Sequence, residues 1–549
     1  MTKPVPSKTP RATRAHRAAA QARRREVERR LAELGLGGGP RGLAGEAAPP
    51  HFDGGFGRRL RFALERLGPV FAAFGRYLGS RPDLLPLADC LELRQTEDRV
   101  EPLPPAAVHA LLEADSGQPW GEVFERIDDI PLRCGLLGQT HRARLQGGWG
   151  TLVRLVRPDL GELLENDLPH LSLLAAVFER EGRPLPVEPA IAGFRQALAA
   201  RADLQAEAAA LRAARTEGVR LVSLRLPRIV LAAPRVLCLE LLEGVSLGAA
   251  GPSPSTPAEG ADLARRLWLA WLYHALRGKA FPVELDPGGL LVFPEGSIGL
   301  QEGTFAGLPP ASQQRLLGYL EAVAAEDPDE ACARLLPEME PAPPGAETEL
   351  RQRFRQAVAF RDGGWGSARD GQSLAEQLFL QWRLAGELGF RPTPPLEGFC
   401  RGLFELAVVT RPLAPPDRDT LREALESLRL LSTVDQLGRM ADFDRLRRGF
   451  EGYVAALADL PATMDGALSR VAEGKPRLRI EVDEASAGGE RRRGAGASVL
   501  ALSLALAAVA LVTVRLGAAP ETGPWFQAAG ATLFTILGGL LLWALGRQP

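Results

Sequence analysis

The sequence predicts an α+β protein whose body has two lobes and is followed by a pair of long apolar segments. Residues 140–158 alternate apolar and polar side chains on both sides of a Gly-Gly pair, which is typical of a β-hairpin. From residue 346 to residue 480 the apolar spacing is mostly helical. Beyond residue 494 two long runs contain no charged side chain. A small β-rich part followed by a larger helical part indicates the two-lobed α+β class.

The composition excludes several classes of protein. The chain of 549 residues is 46% hydrophobic and 24% charged, so disorder throughout is excluded. A formal net charge of −1 gives no reason to expect nucleic acid as a partner. The five cysteines and six histidines are scattered without metal-ligand spacing. We therefore expect no zinc site, and we expect no haem or flavin.

The first 50 residues have the composition of a basic, Gly/Pro-rich disordered arm. Residues 1–30 contain ten Lys or Arg against two Glu, and residues 34–50 are rich in Gly and Pro. The alternative is that the middle of the arm forms a helix that lies on anionic lipid. Residues 51–125 follow with helical spacing, interrupted by the prolines of RPDLLP at 81–86, and are predicted to form a helical extension.

The body is divided into an N-lobe at residues 126–245, which contains strands, and a mainly helical C-lobe at 246–480. In the N-lobe, the hairpin is followed by a predicted long helix from about Leu160 to Glu181. The segment RLPRIVLAAPRVLCLELLEG supplies further strands.

The C-lobe is expected to open with an apolar helix, residues 261–278, and a second hairpin. The hairpin belongs to the stretch FPVELDPGGLLVFPEGSIGLQEGT, residues 281–304. Pairing residues 290–293 with 298–301 around the PEGS turn would place Gly289 opposite Glu302.

The C-terminal region predicts an integral membrane protein. After a basic linker at 481–493, two transmembrane helices are expected within 494–547, since each uncharged run has the length needed to cross a bilayer. Three arginines precede the first run, so the positive-inside rule predicts that the main body lies on the cytoplasmic side. Neither run contains an acid or a base, which indicates an anchor and not a transport pathway.

The segment LGPVFAAFGRYLGSRPDLLP, residues 67–86, resembles the UbiB/AarF family of atypical kinase-like membrane proteins, as a divergent member. The resemblance continues through GLLGQTHRARL, VRLVRPDL, ENDL and VLCLELLEG to the stretch 281–304. It implies a protein-kinase-like fold with the helical extension lying over the nucleotide cleft. It also implies ATP hydrolysis or an unorthodox kinase activity, ATP and Mg²⁺ as ligands, and a link to ubiquinone and other isoprenoid-lipid pathways.

The resemblance assigns nucleotide-binding positions to five residues of this chain. The strand lysine that would hold the phosphates is replaced by Arg154, whereas Gln139 and the acid pair Glu165 and Asp167 match the family pattern. The fifth position is Glu240, in the segment VLCLELLEG. We expect either that Arg154 pairs with Glu165, as a substitute for the usual strand-to-helix ion pair, or that these acids lie at the helix surface.

The extension and the nucleotide loop depart from the family pattern. In the extension motif Lys-x-Gly-Gln, the lysine is replaced by Ala73 and the glutamine by Arg76. The alanine-rich loop corresponds to residues 133–136, Arg-Cys-Gly-Leu.

The catalytic and metal positions depart further. Glu284 stands for the catalytic aspartate, Asp286 for a histidine, Gly289 for the metal-binding asparagine and Glu302 for the second metal-binding aspartate. Glycine has no side chain to offer, and glutamate is one methylene longer than aspartate in a site where Mg²⁺ tolerates little deviation. The alternative is that Glu284, Asp286 and Glu302 are solvated loop acids.

Three functions are open at this point. The first is a membrane-anchored, catalytically degraded kinase-like protein that acts as an accessory or scaffold in isoprenoid-quinone or lipid metabolism. The second is an active ATPase or atypical kinase that uses Arg154, Glu284 and Glu302 in place of the usual lysine and aspartates. The third is a membrane adaptor with no nucleotide role. The partners we expect are membrane lipids, isoprenoid lipids among them, a second copy of the chain or biosynthetic proteins, and no nucleic acid.

Overall fold

A computed structural model describes residues 10–34, 36, 55–183, 185–216, 224–248, 256–294, 297–340, 343–359 and 373–440. All of these residues belong to one compact unit, which ends at Met440.

The first part of the chain is helical. Its helices are α1 (Pro10–Glu33), α2 (Phe56–Leu67), α3 (Pro69–Gly79), α4 (Leu87–Arg94), α5 (Pro105–Ser116) and α6 (Trp120–Val123). Residues 10–33 of the predicted disordered arm form helix α1, which agrees with the alternative of a helix in the middle of the arm. Val27 and Leu31 are buried on one face of α1, which packs against α2. The basic side chains therefore flank an apolar stripe at helical spacing, and that stripe stabilises the helix against the body.

A mixed helical and β region follows. Its elements are β1 (Phe124–Ile127), β2 (Arg133–Cys134), β3 (Gly138–Leu145), β4 (Gly150–Val156), α7 (Leu160–Asp167), α8 (Leu174–Arg180), α9 (Val187–Ala202), α10 (Leu204–Thr216), β5 (Leu224–Arg225), β6 (Ile229–Ala232), β7 (Val236–Glu240) and β8 (Val245–Ser246). The N-lobe sheet has the order β1-β3-β4-β7-β6, with β2 paired to β3.

The predicted first hairpin is confirmed as β3 and β4, with His141 opposite Val153. Gly147 and Gly148 form its turn with φ values of 96° and 90°, a backbone region that residues with a Cβ rarely adopt. The predicted long helix over 160–181 is wrong. A 3-10 segment, Leu168–Leu173, separates α7 from α8, because Pro169 has no N–H to continue the helical hydrogen bonds.

The last part is mainly helical. Its elements are α11 (Pro257–Arg277), β9 (Phe281–Pro282), β10 (Leu290–Val292), β11 (Ile298–Leu300), β12 (Phe305–Ala306), α12 (Pro310–Ala324), α13 (Pro328–Leu335), α14 (Ala346–Ala359), α15 (Leu374–Glu387), α16 (Pro394–Thr410) and α17 (Thr420–Met440). The predicted apolar helix is confirmed as α11. Thr256 caps its N-terminus, since the Thr256 side chain accepts a hydrogen bond from the Glu259 N–H. Trp271 of α11 is buried and donates to the Pro282 carbonyl at 2.7 Å, so α11 fixes the start of the stretch 281–304.

The second hairpin forms with a register one residue away from the prediction. Leu290 lies opposite Leu300, and the Gln301 N–H donates to the Gly289 carbonyl at 2.8 Å. Gly289 is therefore opposite Gln301 and not opposite Glu302.

The predicted localisation, an integral membrane protein with two C-terminal spans and a cytoplasmic body, is contradicted. Among the helices within residues 10–440 that the structure describes, none is both long and apolar enough to cross a membrane. The two predicted spans at 494–547 and the basic linker before them lie outside the described residues.

Candidate nucleotide cleft

The strand cation Arg154 is paired with a helix carboxylate that the sequence analysis missed. Its Nη1 donates to both carboxylate oxygens of Glu207, at 2.7 and 2.9 Å, and its Nη2 donates to the Arg201 carbonyl at 3.3 Å. Burial raises the pKa of Glu207, as does the neighbouring Glu302 carboxylate, whereas Arg154 opposes the rise. The positive charge of Arg154 is therefore neutralised by Glu207 inside the protein.

The signal for Glu207 was present in the sequence. Glu207 follows Leu204 by three residues and precedes Leu211 by four, so all three lie on one face of α10, and that face is buried. An acid on a buried helix face requires a cation as its partner.

Glu165 and Asp167 do not meet Arg154. Glu165 is exposed on α7. Asp167 is buried at the end of α7, where Arg23 of α1 donates to its two carboxylate oxygens at 2.7 and 3.1 Å. Arg23 also donates to the Leu67 carbonyl at 2.5 Å. The expected Arg154–Glu165 pair is therefore wrong, and Asp167 instead attaches α1 to the body.

Glu284, in the catalytic position, lies between two guanidinium groups. Its Oε2 is 3.0 Å from Nε of Arg201, and its Oε1 accepts from Nη2 of Arg401 at 2.7 Å. Burial acts to raise the pKa of Glu284, but Arg201 and Arg401 outweigh it and lower the pKa below its ordinary value. A general base works best with a pKa near the working pH, so a carboxylate held this way is a poor proton acceptor.

Asp286 and Glu302 share one internal cation. Arg133, on β2 of the N-lobe, forms an ion pair through Nη1 with Asp286, and the same nitrogen is 3.7 Å from Oε2 of Glu302. The Gly288 N–H donates to Asp286 at 3.0 Å. The second oxygen of Glu302, Oε1, is buried and has no hydrogen-bond partner among the residues that the structure describes.

This arrangement does not fit Mg²⁺. Asp286 and Glu302 are the carboxylates that could hold the ion, and Gly289 offers no third side chain. A guanidinium from Arg133 already lies between them, and Mg²⁺ needs a nearly regular octahedron of oxygen ligands. In the described part of the chain, no group of three or more His, Cys, Asp or Glu is arranged to hold a metal.

The nucleotide loop is held by a carboxylate of the extension. Asp98 accepts from the Leu136 N–H at 2.8 Å, and a Cβ on Gly135 would lie 2.8 Å from the same carboxylate. Arg76 of α3 donates to Asp98 at 2.5 Å and to the Thr96 carbonyl at 3.1 Å. The loop N–H that could meet a phosphate therefore meets an internal anion.

Gln139 contributes to the protein interior and not to an open cleft. Its Oε1 accepts from the Leu103 N–H at 2.8 Å, and its Nε2 donates to Nε2 of His141 at 2.6 Å. Nδ1 of His141 in turn donates to the Asp128 carbonyl at 2.6 Å, which assigns the imidazole proton to Nδ1. Gln139 and His141 thus connect the extension to the sheet.

Glu240 and the segment after it contact a second residue that the sequence analysis missed. The Glu240 side chain accepts from the Arg228 N–H at 3.0 Å. The Glu240 carbonyl accepts from Nε2 of Gln301 at 2.8 Å, and Oε1 of Gln301 accepts from the Leu242 N–H at 2.6 Å. A single glutamine at the end of an apolar run gave no pattern by which to identify it.

The RPDLLP motif forms a buried cluster beside the cleft, here called the extension cluster: Arg81, Asp83 and Glu397. Arg81 donates to both oxygens of Asp83, at 2.8 and 2.6 Å, and lies 2.9 Å from Glu397. Arg401, the partner of Glu284, donates to Ser80, the residue before the motif, at 3.1 Å. The residue that leads into the motif therefore helps to position the arginine that holds Glu284.

Comparisons with known proteins identify a kinase-like domain in this chain. Residues 95–335 match the model of the ABC1 atypical kinase-like domain. The chain is 34% identical over 241 residues to "Probable protein kinase UbiB" of Pseudomonas entomophila (strain L48) and equally identical to that of Pseudomonas putida (strain W619). In both cases the match covers 43% of this chain and 45% of the relative, so the chain spans less than half the length of the curated relatives it matches.

Two solved structures resemble part of the chain more distantly. The Rv3197–erythromycin complex from Mycobacterium tuberculosis has 18% identity and a TM-score of 0.34, over 62% of this chain and 91% of that one. The macrolide 2′-phosphotransferase MphH from Brachybacterium faecium has 13% identity and a TM-score of 0.22, over 52% and 90%. TM-scores this low support no conclusion about function.

The kinase-like part of the predicted fold is supported by the ABC1 domain match. The ABC1 domain match over residues 95–335 and the similarity to the curated UbiB proteins support membership of the UbiB/AarF family of atypical kinase-like proteins, with a kinase-like α+β fold.

Proposed function

We propose that this chain is a pseudokinase-like member of its family, which works by binding and does not turn over ATP. One observation carries the proposal: Arg133 lies against Asp286 and Glu302, where a kinase-like site needs a divalent cation. Phosphoryl transfer depends on positioning and on neutralisation of phosphate charge by metal, so a site that neutralises its own acids lacks the main source of catalysis.

The remaining catalytic groups support the same proposal. Arg154 is committed to Glu207, Glu284 is committed to Arg201 and Arg401, and a loop N–H is committed to Asp98. Each of these three groups, which would have to meet a phosphate or a proton, already has an internal partner of opposite charge or polarity. ATP would have to break several of these contacts before it could bind.

The proposed role is that of an accessory or scaffold in isoprenoid-quinone or lipid metabolism. The support for this pathway is the name of the relatives, UbiB, together with the family resemblance. The partners we propose are an isoprenoid lipid, another protein of the biosynthetic pathway or a second copy of the chain.

The test is a pair of measurements on the full chain with ATP and Mg²⁺. We expect no thermal shift at millimolar nucleotide, with or without the metal, and no phosphate release above that of the Glu302→Ala variant. Steady Mg²⁺-dependent hydrolysis that disappears in Glu302→Ala would contradict the proposal. It would favour the active ATPase in which Arg154, Glu284 and Glu302 took over the older roles.

A further inference from the structure

Gln301 is a buried amide at the junction of the two lobes. The residue is 7% exposed, and its backbone N–H donates to the Gly289 carbonyl, so it extends the C-lobe hairpin by one residue. The linker that it contacts, residues 241–244, runs from β7 of the N-lobe to β8. Gln301 immediately precedes Glu302, so it lies at the same cleft as the acids that Arg133 neutralises.

The two contacts of Gln301 use a donor and an acceptor side by side. Its Nε2 donates to the Glu240 carbonyl at 2.8 Å, and its Oε1 accepts from the Leu242 N–H at 2.6 Å. The linker backbone therefore presents one acceptor and one donor to the Gln301 side chain. A planar group with an N–H next to a lone-pair acceptor is complementary to that edge, which describes a carboxamide and also describes the amino-and-ring-nitrogen edge of adenine.

We propose that the Gln301 amide occupies the position a purine base would take in this cleft, and that Gln301 is the residue that excludes such a base. The inference deepens the proposed function and rests on it in one respect, since both hold that the cleft is filled by the chain's own side chains. It adds that the exclusion operates at the base as well as at the phosphates and the metal.

Removing the amide should uncover the linker edge. The Glu240 carbonyl and the Leu242 N–H would then lack their partner in a partly buried position, which is unfavourable until a ligand or water replaces it. Two hydrogen bonds between neutral groups correspond to a change of about 10- to 100-fold in an equilibrium constant. A base that competes with Gln301 in the native protein should gain affinity by that factor in the variant.

The experiment uses adenosine, which carries neither phosphate nor a need for metal. Binding is measured by calorimetric titration of the full chain, for the native protein, Gln301→Ala and Gln301→Asn. The asparagine is one methylene shorter, so it keeps the amide but cannot span both linker groups. The matched control is Gln313→Ala, because Gln313 also donates to buried backbone, the Ala275 and Gly278 carbonyls, at 3.2 and 2.6 Å, but does so from α12.

We expect both Gln301 variants to bind adenosine at least about tenfold more tightly than the native protein, while Gln313→Ala behaves as native. Adenosine binding by the native protein as tight as that of the variants would overturn the inference. So would a folded Gln301→Ala or Gln301→Asn, shown by native circular dichroism, that gains no affinity, or an equal gain in Gln313→Ala. Adenosine binding requires neither Mg²⁺ nor hydrolysis. Its outcome is therefore independent of the ATP and Mg²⁺ measurements that test the proposed function.

Discussion

Two sets of arginine–carboxylate ion pairs in this protein differ in burial. The extension cluster is deeply buried, whereas the pair of Arg133 with Asp286 is half-exposed. The side chains of Arg81 and Asp83 are each 6% exposed, and Glu397 is the second acid beside Arg81. The side chains of Arg133 and Asp286 are 42% and 49% exposed. Removing one partner of a deeply buried ion pair strongly destabilises the fold, because it leaves an unpaired charge inside the protein. A half-exposed pair contributes little to stability. The comparison teaches that this chain uses the first to hold its fold and the second to fill a site.

The largest effect is expected from Arg81→Ala. This change leaves Asp83 and Glu397 without their cation inside the protein, and removing one partner of such a buried pair costs about 3–5 kcal/mol in the free energy of unfolding. Urea denaturation followed by circular dichroism measures the loss. Arg133→Ala serves as the comparison and should cost less than about 1 kcal/mol. Equal losses in the two variants would remove the distinction between the clusters.

A smaller effect is expected from Arg23→Ala in α1. Arg23 donates to Asp167 twice and to the Leu67 carbonyl, at positions that are partly buried, so we expect a loss of about 1–3 kcal/mol. Backbone amides of α1 should then exchange hydrogen faster.

The neighbouring residue provides the control for α1. Arg24 makes an exposed i,i+4 pair with Glu28, and Arg24→Ala should cost no more than about 0.5 kcal/mol. If the two variants exchanged at the same rate along α1, the pair of Arg23 with Asp167 would not be what attaches this helix.

The smallest effect is expected from pH, through Glu284. Its folded-state pKa is lowered because Arg201 and Arg401 outweigh burial, so its carboxylate stabilises the fold above the ordinary value of 4.5. That contribution is lost as the pH falls from 4.5 through the lower folded-state pKa. Glu284→Gln should therefore lose less stability than the native protein between pH 7 and pH 3, as measured by urea denaturation at both values. An identical loss in the two proteins would show that Glu284 does not titrate as inferred.

The sequence predicted those parts of the fold that local patterns determine. The first hairpin has a period of two and a Gly-Gly turn, and α11 has a continuous apolar helical pattern, so both were found. The break at Pro169 should have been recognised, because proline cannot continue a helix. The register of the second hairpin was one residue off, since two short apolar runs around a turn fit either pairing.

The partners within the cleft could not be predicted from the sequence. Arg154 pairs with Glu207 across 53 positions, and Arg133 crosses from one lobe to the other to reach Asp286. Contacts between elements far apart in the chain depend on how those elements pack, and no local spacing encodes them. The resemblance identified which positions had changed, but it could not show that the chain's own arginines had taken the place of the missing cations.

The most direct test of that central claim is Mn²⁺ binding by the full chain, followed by electron paramagnetic resonance. The native protein should bind no Mn²⁺ at this site, because the guanidinium of Arg133 already neutralises Asp286 and Glu302. Arg133→Ala should acquire weak binding that is lost again in the double variant with Glu302→Ala, whereas Arg126→Ala, which removes an exposed arginine on β1, should behave as native. Tight Mn²⁺ binding by the native protein that depends on Glu302 would contradict the account.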